Sequence, residues 1–124
     1  LGKNDWLLAG SFRPNGTSAV DNSLNSSIKG DGARCGFTVA RTDVGLFTIT
    51  FQDNATFASL VFQVTGAVPL VAIPVARNVV AGSAPTMTIQ LYDMAGAVAD
   101  LASATNNSVR FFGMFFGGAY RGLR

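Results

Sequence analysis

Apolar and polar residues alternate with a period of two along most of this chain, the pattern of strands that bury one face. Over residues 45–52, Phe47, Ile49 and Phe51 point one way and Thr48, Thr50 and Gln52 the other. This is the clearest strand in the sequence, rich in β-branched and aromatic types. Leu60, Phe62 and Val64 repeat the pattern against Ser59, Gln63 and Thr65, with Val61 as a departure. Met87, Ile89 and Leu91 repeat it against Thr86, Thr88, Gln90 and Tyr92, and Phe37 and Val39 give a shorter version before Arg41. Less regular strands are expected at 6–12, 70–78 and 108–116. Pro74 within the second of these implies an edge position or a bulge, because proline cannot donate to a strand ladder.

Turn-rich clusters separate these runs: Arg13-Pro14-Asn15-Gly16, a long polar loop over 22–32, Asp43-Val44-Gly45, Gln52-Asp53-Asn54, residues 81–85, and Asp93-Met94-Ala95-Gly96. Only 94–105 offers helical propensity, for one or two turns without a strong cap. Seven or eight short strands joined by turns predict an all-β, antiparallel β-sandwich in one domain over 1–124. Residues 1–32 supply an N-terminal strand and a polar loop or arm, and 33–118 the sandwich core. Spacing alone leaves a jelly roll and other Greek-key sandwiches open. Residues 54–76 are uncharged and long enough to span a bilayer, yet Thr56, Gln63, Thr65, Gly66, Pro69 and Pro74 interrupt them. Two strands joined by a turn explain the stretch better than a membrane helix, so no membrane partner is expected.

The last strand breaks the alternation. Ser108–Tyr120 holds Phe111, Phe112, Met114, Phe115, Phe116 and Tyr120, with Arg110 as its only charge. It is apolar on both faces, so something must cover the second: another subunit, or a loop or the segment around Trp6 from the same chain. Composition favours association. Hydrophobic residues make up 48% and charged ones 13%, about half the usual charged share. Soluble monomers keep large apolar patches off their surface.

The net charge of +2 comes from scattered residues, Arg13, Arg34, Arg41, Arg77, Arg110, Arg121 and Arg124 among them. Nucleic-acid binders cluster such residues on one face, so no nucleic-acid partner is expected. With one cysteine, Cys35, no internal disulfide forms. Leu1-Gly2-Lys3-Asn4-Asp5 lacks the basic-then-apolar layout of a secretory signal.

Candidate chemistry is sparse. The chain has no His, which removes the commonest general base and the Ser-His-Asp and Cys-His arrangements. Cys35 beside Arg34 reads as a small buried hydrophobe. Asp93 and Asp100 are the one carboxylate pair to weigh against glycosidase chemistry, but Asp93 suits a turn better. Those acids with Asp53 and Asn54 lack calcium-loop spacing. Gly113, Gly117 and Gly118 lack the context of a phosphate loop and suit close backbone approach. Asn15, Asn25, Asn54 and Asn106 open Asn-x-Ser/Thr triplets, common by chance in β-sandwich loops. Trp6 and Tyr120 are candidates for stacking on sugars, though each suits an interface or core anchor better. The chain therefore reads as non-enzymatic, with no cofactor and no metal.

Three segments carry a resemblance. Phe37-Thr38-Val39-Ala40-Arg41-Thr42-Asp43-Val44-Gly45-Leu46-Phe47-Thr48-Ile49-Thr50-Phe51 resembles the central hairpin of bacteriophage virion domains with a complement-head or tumour-necrosis-factor-like jelly roll. Met87-Thr88-Ile89-Gln90-Leu91-Tyr92-Asp93, then Gly96 and Asp100, resembles their penultimate strand and its loop, and Ser108–Phe116 their apolar last strand. The likeness implies a jelly-roll homotrimer in which one face of the last strand meets a neighbouring copy. Phe111, Phe112, Met114, Phe115, Phe116 and Tyr120 would form that subunit interface, and Trp6, Arg13 and Arg121 would touch a further partner. The implied function is a capsid decoration (cement) subunit on the virion surface, made in the host cytoplasm, bridging the major capsid protein or another virion protein. A fibre or tail knob that binds a host glycan or receptor is the alternative, and a secreted animal-type trimer a more distant one.

Overall fold

A computed structural model describes residues 6–29, 36–52, 55–79 and 83–117. They form eight strands: β1 (Trp6–Phe12), β2 (Ser26–Lys29), β3 (Phe37–Asp43), β4 (Leu46–Phe51), β5 (Ala55–Thr65), β6 (Leu70–Asn78), β7 (Thr86–Asp93) and β8 (Ser108–Gly117). Two antiparallel four-stranded sheets pack as a sandwich, sheet A in the order β2-β1-β8-β5 and sheet B in the order β3-β4-β7-β6. The pairing is nested, β1 with β8 and β4 with β7, which is the arrangement of a jelly-roll-like sandwich. The uncharged stretch over 54–76 holds β5 and β6, which belong to different sheets but run side by side along one flank. Among the described residues no helix is long and apolar enough to cross a membrane.

Alternation turns an apolar set inward on β1, β4, β7 and β8, whereas Ile28 of β2 and Val71, Ile73 and Val75 of β6 are exposed. Leu8 and Phe12 of β1, Phe47, Ile49 and Phe51 of β4, Met87, Ile89 and Leu91 of β7, and Val109 and Phe111 of β8 share one buried cluster. Phe111 is its hub. Its ring lies 5.1 Å from Phe37 and 5.7 Å from Phe51, both edge-on, and 5.9 Å from Phe62. Such edge-to-face pairs add to the gain from burial alone. Phe12 and Phe47 meet at 5.3 Å across the two sheets. Two glycines serve this packing. A methyl group on Gly10 would run into the Phe111 ring, and one on Gly113 into the Ser59 carbonyl.

Three local features differ from the sequence pattern or sharpen it. Residues 94–105 form no helix. The Asp93 carboxylate accepts from the N–H groups of Ala95 and Ala97 at 2.9 and 3.0 Å, Gly96 takes a φ of +85°, and Val98 bridges back to Tyr92. Side-chain competition for backbone donors overrides alanine propensity here. The polar loop over 22–32 contains β2 and a 3-10 turn at Asn22–Leu24, capped by Asp21. Pro74 lies on an edge strand next to a register shift between Pro74 and Ala76, so the edge and the bulge occur together.

Phe111→Ala should lower unfolding free energy by about 3–5 kcal/mol, as deletion of a fully buried Phe does. Gly10→Ala should cost about 1–3 kcal/mol by overpacking the same ring. Urea unfolding at a fixed protein concentration measures both. A Phe111→Ala protein as stable as the parent would remove the ring from its central role.

Candidate interaction face

The second face of β8 is the outer face of sheet A. Register places Ile28 of β2, Ala9 of β1, Phe112 of β8 and Val61 of β5 in one row across all four strands. Ile28 is 55% exposed, Phe112 51% and Val61 62%. The next row adds Leu7, Met114 and Ser59. No described segment of the chain lies over these rows. The backbone of Trp6 lies within the sheet itself, opposite Phe115, and the residues before it lie outside the described ones. On the other side of the apolar row stands a polar one: Ser26, Ser11, Arg110 and Gln63.

The expected interface residues therefore separate. Phe112 and Met114 lie on the outer face. Phe111, grouped with them by sequence, points inward and is 3% exposed, because successive residues of a strand face opposite ways. It is a core residue rather than an interface residue. Of Phe115, Phe116 and Trp6 only the backbone is described, with Trp6 opposite Phe115 and Phe116 opposite Thr56. Tyr120 and Arg121 lie outside the described residues, as do Cys35, Asp53, Asn54 and Gly118. Arg13 is half-buried just beyond β1, and its charge acts on Asp21.

The sheet edges are occupied or broken. Asn22 works like a short strand against β3, its Oδ1 accepting from Val39 N–H at 2.8 Å and its Nδ2 donating to Val39 C=O at 3.3 Å. Asn25 donates from Nδ2 to Phe37 C=O at 3.2 Å. β5 carries a register shift between Phe57 and Ser59, and β6 the one at Pro74. β2, the fourth edge, is only four residues long. Bulges, prolines and short strands discourage edge-to-edge pairing, which leaves the faces for association.

The acids expected as candidate catalysts hold loops. Asp100 takes Arg41 in a bidentate pair, Nε to Oδ1 at 3.0 Å and Nη2 to Oδ2 at 2.9 Å, with both side chains 16% exposed. Its Oδ1 also accepts from Gly45 N–H at 2.7 Å. Gly45 has a φ of +59°, and a side chain there would strike the Ala99 carbonyl. Gln90 donates from Nε2 to Val44 C=O at 2.8 Å. The β3–β4 turn and the loop after β7, which belong to two of the segments that carry the sequence resemblance, are thus fastened together. Asp93 is engaged in its own turn, and the described residues hold no cluster of three or more His, Cys, Asp or Glu side chains suited to a metal.

No family model, curated protein or solved structure matches this chain. The resemblance to virion domains rests on the quoted residues.

The Arg41 guanidinium holds the Asp100 carboxyl below the usual carboxylate range; partial burial opposes the shift and the Gly45 N–H reinforces it. A carboxyl with a lowered folded pKa adds stability that is fully present above its unfolded value, about 4, and is lost as pH falls through the folded value. Melting temperature should therefore drop as pH is taken below about 4. Asp100→Asn should reduce stability by about 1–2 kcal/mol at neutral pH and shrink that acid loss. Scanning calorimetry from neutral to acid pH on both proteins checks this; identical acid limbs would rule the pair out as a contributor.

Proposed function

We propose that this protein is a non-enzymatic structural subunit that binds copies of itself through the β8–β5 half of the outer face of sheet A. Its role is that of a capsid decoration subunit: a homotrimer that bridges and stabilises a virion shell built from another protein. The observation that carries the self-association is the apolar row through Phe112 and Val61, exposed among the described residues and continued by Met114. Fully burying a Phe gains roughly 1.5–3 kcal/mol, so covering a half-exposed Phe112 in each contact gives a substantial drive. Protected edges direct that drive to the face. Stable interfaces bury about 800 Å² per partner, more than one row supplies, so the contact extends to the next row through Met114 and Ser59. The trimeric state and the virion setting come from the resemblance of the β3–β4 hairpin and of β7 and β8 to phage virion domains. Bridging then stabilises the shell by mass action, since the subunit binds only the assembled lattice.

Light scattering coupled to size-exclusion chromatography should give the mass of a trimer for the parent protein. Phe112→Asp and Val61→Asp should each yield a soluble monomer with unchanged circular dichroism, because both side chains lie outside the core. A parent protein that runs as a monomer at micromolar concentration would overturn the reading. Copy number in purified particles tests the role: hundreds per virion fit decoration, and a few dozen or fewer fit a fibre.

A further inference from the structure

Sheet A carries a second feature on its other half. β1 presents only small residues, Ala9, Gly10 and Ser11, between taller neighbours. Ser26 and Ile28 of β2 form one bank and Arg110 of β8 the other, enclosing an open trough of about 580 Å³. That size lies within the range of small-molecule sites. Arg110 sits mid-strand, opposite Ser11 on one side and Gln63 on the other, and is exposed. Among the described residues it has no ion-pair partner. The four acids with described positions do not approach it: Asp100 holds Arg41, Asp93 and Asp21 close their own turns, and Asp43 accepts from Val44 N–H.

We propose that this trough binds a saccharide bearing a single carboxylate. A guanidinium matches a carboxylate with two parallel hydrogen bonds. Ser11 and Ser26 offer hydroxyls that both donate and accept, as a polyol requires. Ile28 gives an apolar wall for the C–H side of a pyranose ring, and the glycine and alanine of the floor let the ring come close to the backbone. Arg110 is the one cation among the described residues lining the trough, which suits a uronic- or sialic-acid carboxylate better than a multiply charged phosphate. A peptide strand would add to the outer edge of β2, whereas the trough lies on the face above β1. The site does not depend on the self-association reading, which uses the β8–β5 half.

The test is a titration of the isotopically labelled protein with sodium glucuronate, followed by amide chemical shifts, with glucose and sodium acetate as controls. Saturable shifts are expected at Ser11, Ser26, Ile28 and Arg110, with a millimolar dissociation constant. Arg110→Gln should weaken binding about tenfold or more, the loss of a charge-assisted pair. Arg110→Lys should retain part of it, and both variants should keep the parent's oligomeric mass. Three results would each overturn the proposal: glucuronate acting no more strongly than glucose, acetate alone reproducing the response, or Arg110→Gln binding as well as the parent. None of them bears on self-association, which the mass of Phe112→Asp reports separately.

Discussion

The structure turns on the Phe111 ring. It stands on the middle strand pair of sheet A and reaches into sheet B, touching Phe37 and Phe51 edge-on and Phe62 beside it. Everything next to it is adjusted to its volume. Gly10 lacks a side chain because the ring occupies that space. Once Phe111 is fixed inward, the pleat sends Phe112 outward, along with Arg110. The core contact therefore decides which residues β8 presents to the surroundings. A shift of one residue in β8 would expose Phe111 and bury Arg110, an arrangement far costlier than any loop rearrangement.

Much of this was legible because strands report themselves through alternation. β1, β4, β6, β7 and β8 begin and end within about a residue of the expected positions, and Pro74 announced both an edge and a bulge. β2 was not legible. Ser26-Ser27-Ile28-Lys29 has little apolar content and gains strand geometry from its partner β1 rather than from its own side chains. The 94–105 stretch misled because alanine propensity is weak beside the hydrogen bonds that Asp93 and Asp100 impose. For the face, sequence showed that β8 is apolar twice over but could not say which phenylalanines fall on which side, since a run of adjacent apolar residues carries no parity. The polar trough was invisible for a different reason. Ser11, Ser26 and Arg110 are far apart in the chain, and only the pairing of three strands brings them into one row.

The two outer halves of sheet A differ in chemistry although they share a surface. The β8–β5 half offers methyl and phenyl groups and no formal charge until Arg110. The β1–β2 half offers hydroxyls, a backbone floor and that one guanidinium. Asn22 and Asn25 seal the edge of β3 on the opposite sheet with side-chain amides, so a single polar loop does the work of a further strand. Arg41 and Asp100 do the same for the far end, tying turn to loop without an additional element. Among the described residues, Asp21, Arg41, Asp93 and Asp100 are committed to holding segments in place, whereas Arg110 is not.

The position of β8 has a consequence for how the molecule comes into being. It is the last of the described strands in sequence, yet it lies between β1, the first of them, and β5. Sheet A is severed until it arrives. A nascent chain would emerge with β1 and β5 lacking a shared neighbour, and every residue between β1 and β8 must be synthesised before sheet A closes. Contacts between such distant segments fold slowly, on the order of milliseconds to seconds for sandwiches of this kind. During that interval the strands that will flank β8 present open ladders. Polypeptides still waiting for their final strand are the population in which stray pairing between neighbouring ribosome products would begin.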